Sequence, residues 1–181
     1  PPPPMFTPYT VRGLTLKNRI VVSPMAQYSC VDGLPADYHL VHLGARAMGG
    51  AGMVFAEMTC ITPEGRITPG CPGLYNAEQK AGWKRIADWI HAHSDAKFAM
   101  QLGHAGSKAS TRVAWDGTDL PLESGNWPIV GASAQQYLPG VSQVSKEISK
   151  DEMQSLKQRF VEATQDEIGR ASCRERVLTD V

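Results

Sequence analysis

The chain alternates short apolar segments with amphipathic segments of helical periodicity, and this alternation restricts its fold more than any other feature. The apolar segments lie at residues 19–22, 52–59 and 97–102, and each predicts a buried strand. Apolar strands separated by helices are typical of a parallel sheet that helices cover. We therefore predict an α/β fold, either a doubly wound sheet or a (β/α)₈ barrel, because the pattern alone does not decide between them.

Capping residues mark the start of three predicted helices. Asp37 can cap the first, which ends at Gly49-Gly50, and Asn76 can cap the second. Ser149 and Glu152 have the spacing of a capping box and begin the third. The apolar stripes predicted to face the sheet are Leu40, Leu43 and Ala47 in the first helix, Trp83, Ile86, Ala87 and Ile90 in the second, and Met153, Leu156, Phe160 and Ala163 in the third.

A long segment with little periodicity, from about Gly103 to Val144, separates the third strand from the third helix. Segments of this length in compact domains are usually functional. In a barrel, the connections that follow the strands form the active-site face. We therefore expect this segment, here called the excursion, to border the site.

The composition argues against several classes of function. Lysine plus arginine and aspartate plus glutamate number 18 each, so no net charge favours binding to nucleic acid. No apolar run approaches the roughly 18 residues that span a bilayer, which predicts no membrane span. The four cysteines have neither CxxC nor zinc-ligand spacing, which predicts no metal site and a reducing, cytoplasmic setting.

The residues that follow the three strands carry the candidate chemistry. They are Ser23–Tyr28, Glu57–Cys60 and Gln101–His104, and the carboxyl ends of barrel strands share one face. They supply backbone donors, an aromatic ring and a side-chain amide, but neither a nucleophile–base pair nor paired carboxylates. This set suits a planar heterocycle such as a flavin, which needs backbone N–H groups near N5 and O4 and an amide at its pyrimidine edge. His39 and His42, one helical turn apart, are interpreted as packing and solvent-contact residues.

Four segments in register resemble Old Yellow Enzyme-type NADH:flavin oxidoreductases. The first is Phe6-Thr-Pro followed by Leu16-Lys-Asn-Arg-Ile-Val-Val-Ser-Pro-Met. The others are Asp37-Tyr-His-Leu-Val-His-Leu, Pro63-Glu-Gly-Arg-Ile and Gln101-Leu-Gly-His-Ala-Gly. The resemblance implies the N-terminal part of a TIM (β/α)₈ barrel, incomplete and with about three βα units, that binds FMN and uses NADH or NADPH as reductant.

The resemblance also implies roles for individual residues. The backbone of the segment after the first strand would pack against the flavin, with Ala26 near N5 and O4, and Tyr28 would face the substrate. Cys60 would lie close to the ring, and Gln101 would bond to the pyrimidine edge. The complete set of implied cofactor-binding residues is Ser23, Pro24, Met25, Ala26, Cys60 and Gln101. No catalytic residue falls in this part of the chain, because the family's carbonyl-polarising histidine pair lies on a fourth strand.

Two positions depart from the family pattern. Ala26 stands where many relatives of this subgroup carry a cysteine that tunes the flavin potential, so that tuning is absent here. Ser107 stands where relatives usually carry an arginine after His-Ala-Gly.

A more specific resemblance is carried by Trp83-Lys-Arg-Ile, by the run from Gly106 to Leu120 and by Gly125-Asn-Trp-Pro. These segments are similar to the reductase portion of fusion proteins that hydroxylate aromatic CoA thioesters, the anthraniloyl-CoA and salicylyl-CoA monooxygenases. In those fusions a flavin hydroxylase domain comes first, and the Pro-rich start of this chain is consistent with a linker to such a domain.

The predicted organisation has three parts. Residues 1–5 are a Pro-rich linker, and residues 6–166 are the N-terminal part of the FMN-binding barrel. Residues 167–181 are polar and basic and lack the family pattern, so we interpret them as a sequence artefact.

The expected function is an oxidoreductase that passes electrons from NAD(P)H through FMN to an electron-poor conjugated carbonyl or aromatic CoA thioester. The expected partners are a small-molecule substrate and, for the complete protein, further copies of itself. Two alternatives stay open, namely a non-flavin TIM-barrel enzyme and an inactive truncated fragment. We expect the 181 residues alone to be inactive.

Overall fold

The computed structural model describes residues 1–168, with side chains as far as Asp166. The prediction for the tail therefore lies outside the described residues, apart from the end of the last helix. The strands are β1 (Tyr9–Val11), β2 (Leu14–Leu16), β3 (Val21–Val22), β4 (Met53–Cys60), β5 (Lys97–Gly103), β6 (Val130–Gly131) and β7 (Lys146–Glu147). The α-helices are α1 (Asp37–Met48), α2 (Ala77–His93) and α3 (Lys150–Ile168).

A parallel sheet in the order β3-β4-β5 forms the centre of the fold. The helices α1 and α2 connect successive strands, as the alternation predicts. An antiparallel hairpin, β1 and β2, precedes the sheet. The central sheet therefore consists of three parallel strands joined by two helices, and a third helix follows β7.

The first sheet strand is shorter than predicted, because residues 19 and 20 do not join it. The Asn18 side chain accepts a hydrogen bond from the backbone N–H of Ile20 at 3.0 Å and donates to the carbonyl of Gly50 at 2.7 Å. Since the Ile20 N–H is bound locally, regular pairing begins only at Val21.

The helix stripes predicted from the sequence form the core, with one exception. Those of α1 and α2 pack on the sheet, and Ile86, Ile90 and Ala47 are completely buried. In α3 the later stripe residues pack on the core, but Met153 is 48% exposed, so its prediction as a core residue is wrong. Met153 lies in the first turn of α3, ahead of the part of the helix that contacts this core.

The excursion is ordered by side-chain hydrogen bonds rather than by long strands. Its strand β6 pairs in parallel with β7, which follows the excursion directly, and the buried Ser145 hydroxyl donates to the carbonyls of Ser133 and Gln135. Trp127 donates its indole N–H to the carbonyl of Glu64 at 3.0 Å, which ties the excursion to the loop after β4. No helix among residues 1–168 is long and apolar enough to cross a membrane.

The cap of α2 gives a first testable expectation. Asn76 Oδ1 accepts a hydrogen bond from the Gln79 N–H at 2.9 Å, as the capping prediction requires. Replacing Asn76 with alanine is expected to lower the free energy of unfolding by about 1 kcal/mol, because this helix donor then loses its partner. Asn76→Asp, which keeps an acceptor at the cap, is the matched control in urea denaturation. Equal losses for both variants would contradict the capping role.

Candidate functional site

The carboxyl ends of β3, β4 and β5 lie at one edge of the sheet because the strands are parallel and in register. The segment after β3 turns toward the end of β4, where the backbone N–H of Gln27 donates to Glu57 Oε2 at 2.8 Å. Gln101 follows Met100 on β5, which pairs with Ala56 on β4. The structure therefore brings the residues that follow β3 to the strand edge to which Gln101 also belongs.

The segment from Met25 to Gln27 is held in a defined turn. The side-chain amide of Gln27 donates to the carbonyl of Met25 at 2.8 Å and accepts a hydrogen bond from the Tyr38 hydroxyl at 2.8 Å. Met25 and Ala26 themselves are exposed, and within residues 1–168 their backbone N–H groups donate to no protein acceptor. Two adjacent backbone donors on a fixed turn are thus free to bind a ligand.

The remaining predicted residues of this segment are placed around the turn. Ser23 is exposed and Pro24 is half-buried. Tyr28 is half-buried with a left-handed backbone, φ 48°, and its ring lies 6.2 Å from that of Trp115, at a tilt of 56°. Burial is the main cause that raises the pKa of Tyr28, so its hydroxyl keeps its proton at neutral pH. The excursion therefore borders the site through Trp115, as predicted.

Gln101 lies half-buried near the carboxyl end of β5. Its neighbours along the strand, Met100 and Leu102, belong to the core beneath the helices. By strand alternation Gln101 faces the opposite side of the sheet. Within the part of the chain described, its side-chain amide has no hydrogen-bond partner, which leaves both a donor and an acceptor for a ligand.

Cys60 is completely buried at the end of β4. Its thiol lies 3.8 Å from the Met58 sulfur and is hydrogen-bonded to Cys71. This bond from Cys60, together with bonds from Thr68, lowers the pKa of Cys71 to about 7, and the same thiol–thiol bond is the main cause that raises the pKa of Cys60. The position of Cys60 beside a flavin ring stays a prediction.

The structure contains a buried polar pair at the site that was not predicted from the sequence. His39 Nε2 lies 3.0 Å from Glu57 Oε1, and their side chains are only 1% and 2% exposed. The Cys30 sulfur lies 3.6 Å from the same nitrogen, and burial raises the pKa of that thiol. His39 is therefore more than a packing residue. The i, i+3 spacing of His39 and His42 did not indicate this pair, because Glu57 lies on strand β4 and not on helix α1.

His104 follows β5, and one of its two ring nitrogens has no hydrogen-bond partner within residues 1–168. Its Nδ1 accepts a hydrogen bond from the Gly106 N–H at 3.1 Å, whereas the buried Nε2 has no partner within residues 1–168. Burial lowers the pKa of His104, so the ring is neutral at pH 7. With Nδ1 accepting, the proton of the neutral ring is on Nε2. No cluster of three or more metal-ligating side chains occurs in the described part of the chain.

A flavin fits these free groups. Its N5 and O4 atoms require donors, and the amides of Met25 and Ala26, without partners within residues 1–168, are donors of this kind. Its pyrimidine edge requires an amide that both donates and accepts, and the Gln101 side chain has this chemistry; its contact with a flavin stays a prediction. The Ser107 hydroxyl donates to the Ser145 hydroxyl at 3.1 Å.

Known sequences agree with this site. The profile of the NADH:flavin oxidoreductase / NADH oxidase family matches residues 4–171. The chain is 40% identical over 163 residues to an NADH:flavin oxidoreductase of Gibberella zeae, a match that covers 88% of this chain and 39% of that protein. An NADPH dehydrogenase of Bacillus cytotoxicus is 46% identical over 107 residues, which is 58% of this chain and 31% of the dehydrogenase. The chain thus spans less than half the length of these relatives.

Solved structures give the same fold. Morphinone reductase in complex with tetrahydroNAD superposes with a TM-score of 0.77 at 25% identity, over 94% of this chain and 47% of the reductase. The old yellow enzyme homologue from Zymomonas mobilis superposes with a TM-score of 0.74 at 24% identity, over 93% and 46% of the two chains. The barrel is therefore the correct one of the two predicted architectures, and the described residues form part of it.

The same comparisons favour a flavin enzyme over a barrel enzyme without flavin. The resemblance to Old Yellow Enzyme-type oxidoreductases is confirmed, whereas the resemblance to the CoA monooxygenase fusions stays a prediction. FMN and a nicotinamide reductant are the cofactors of the matched family. From its sequence match and its fold, the chain belongs to the NADH:flavin oxidoreductase / NADH oxidase family.

Proposed function

We propose that the complete protein is an FMN-dependent oxidoreductase that uses NADH or NADPH to reduce an electron-poor conjugated carbonyl or an aromatic CoA thioester. When bound, FMN supplies the two-electron transfer between the nicotinamide and the substrate. The observation that supports this most directly is a set of donors and acceptors at one strand edge that have no partner within residues 1–168, namely the Met25 and Ala26 amides and the Gln101 side chain.

Each of these groups has a separate task in the proposal. The two backbone amides donate to N5 and O4, which orients the ring and stabilises negative charge that develops at this end. Gln101 binds the opposite, pyrimidine edge and so fixes the rotation of the ring. Tyr28, protonated at neutral pH, presents a hydroxyl donor to the substrate. Because Ala26 carries no sulfur, the flavin potential is set without a thiol at this position.

Removal of the Gln101 amide tests the flavin site. Gln101→Leu keeps a side chain of similar size but leaves the pyrimidine edge without a partner, so the Kd for FMN is expected to rise about tenfold or more. The measurement is FMN titration of the complete apoprotein, followed by flavin absorbance. Gln158→Leu, on the exposed surface of α3, is the matched control and should leave the Kd unchanged. Absence of flavin binding by the wild-type protein would refute the proposed function.

The finer features of the proposal rest on resemblance. They are the aromatic CoA thioester as substrate and a fused flavin hydroxylase domain upstream. The proposal also includes self-association of the complete protein and, from the cysteine pattern, a cytoplasmic location. We also propose that residues 1–181 alone do not turn over substrate, because the resemblance assigns the carbonyl-polarising histidine pair to a fourth strand. Substrate-dependent oxidation of NAD(P)H by the isolated 181 residues would contradict this.

A further inference from the structure

The buried pair of His39 and Glu57 has no role in the chemistry proposed above, yet among the described residues it is the most thoroughly buried of the pairs that a carboxylate forms with a basic side chain. Burying a carboxylate is costly unless its oxygens are hydrogen-bonded. Both oxygens of Glu57 are bonded here, Oε1 to His39 and Oε2 to the backbone N–H of Gln27. The carboxylate therefore links helix α1 to the turn that carries the free amides.

The orientation of the histidine follows from its second nitrogen. The backbone N–H of Ala36 points at His39 Nδ1 at 3.5 Å, so Nδ1 is the acceptor and Nε2 carries the proton toward Glu57. The His39 ring also packs edge-on against Trp83, with 5.8 Å between centroids. The start of helix α1, through Ala36, and the core, through Trp83, therefore hold His39 in place. His39 in turn holds one oxygen of Glu57.

The other oxygen of Glu57 acts on the turn. Its bond to the Gln27 N–H holds the backbone at the point where the Gln27 side chain closes back on the Met25 carbonyl. Together these bonds hold a turn in which Met25 and Ala26 are exposed and their backbone amides have no protein partner within residues 1–168. A flexible turn would pay an ordering cost on binding a ligand, whereas a turn held in advance does not.

We propose that His39 and Glu57 are positioning residues for the flavin: they hold the turn from Met25 to Gln27 in its binding conformation from beneath, without touching the flavin. This inference rests on the proposed flavin site.

The test compares Glu57→Ala and Glu57→Gln in the complete protein. In Glu57→Ala both bonds are lost, and the Kd for FMN is expected to rise about 100-fold, with a change in the shape of the bound flavin's visible absorption band. In Glu57→Gln one oxygen still accepts from Gln27, while the amide meets the Nε2 proton of His39, so the rise is expected to be about tenfold. The backbone N–H of Gln27 should also exchange its hydrogen with solvent faster in both variant apoproteins than in the wild-type apoprotein.

Ile90→Ala is the matched control, because it destabilises the core on α2 without touching the turn. It should lower the Tm of the apoprotein but change the Kd for FMN less than threefold, an allowance for indirect effects. The inference is overturned if Glu57→Gln, which keeps the side-chain volume and folds more readily, binds FMN as tightly as wild type with unchanged exchange at Gln27. It is equally overturned if Ile90→Ala weakens FMN binding as much as the Glu57 variants. If wild type binds no FMN, the proposed function itself fails.

Discussion

Replacing Trp83 with alanine is expected to lower the free energy of unfolding by about 3–5 kcal/mol. The Trp83 side chain is 4% exposed in the core between α2 and the sheet. Its ring lies against Phe98 on β5 and His39 on α1, so its removal leaves a cavity where three elements meet. The loss therefore includes both the transfer of the ring out of the core and the contacts that the cavity walls lose.

The indole N–H adds a polar contribution. It donates to the carbonyl of Gly73 at 3.1 Å, which is buried and would be left without this donor. Trp83→Phe keeps most of the ring but removes the donor, so it is expected to cost about 1–3 kcal/mol. Trp115→Ala removes the same side chain from a site where it is 71% exposed, and should cost less than about 1 kcal/mol. Urea denaturation measures the free energy of unfolding of the three variants. If Trp83→Ala lowers it no more than Trp115→Ala does, Trp83 does not organise the core.

The elements around Trp83 were predictable because their signals are local. The α2 stripe repeats at helical spacing, and the Asn76 cap lies three residues before its hydrogen-bond donor. Both features are read within one helix. The strand segments were likewise found from their own composition, although the Asn18 side chain shortened the first of them.

The polar interior of the site was not predictable in the same way. Glu57 and His39 are 18 residues apart in sequence and meet only once α1 packs on β4. A register irregularity between Ala56 and Thr59 leaves Ala56 and Glu57 both buried, so simple alternation along β4 does not show where the carboxylate points. The chain contained a possible base and a carboxylate, but no sequence spacing signals such a pair.

The Cys60–Cys71 contact shows the same limitation in a loop. The segment after β4 folds back so that Gly73 forms a bridge with Cys60, which brings Cys71 beside it. Two cysteines eleven positions apart have no recognised spacing, and their closeness depends on this return of the chain. The excursion is a further case, because its short strands are held by serine hydroxyls rather than by an apolar pattern.

Gly70→Ala is expected to disturb the site more than any other exchange of glycine for alanine next to it. A β-carbon at Gly70 would lie 2.6 Å from the carbonyl carbon of Tyr28 and 3.0 Å from its Cα. These are backbone atoms, so no side-chain rotation relieves the clash. Gly70 also accepts the Cys30 N–H at 3.0 Å, which fixes it on the other side. The chain must therefore shift at Tyr28, whose left-handed backbone has little freedom to adjust.

The expected result is a loss of about 3 kcal/mol in the free energy of unfolding, the upper part of the usual range for overpacking. A displaced Tyr28 should also raise KM for the substrate more than it lowers kcat, because this side chain is proposed to contact the substrate rather than the reductant. Gly13→Ala is the matched control, since a β-carbon there meets no atom within 4 Å, and its stability should change by less than about 0.5 kcal/mol. If the two variants prove equally stable and equally active, the packing of Gly70 against Tyr28 does not hold the site.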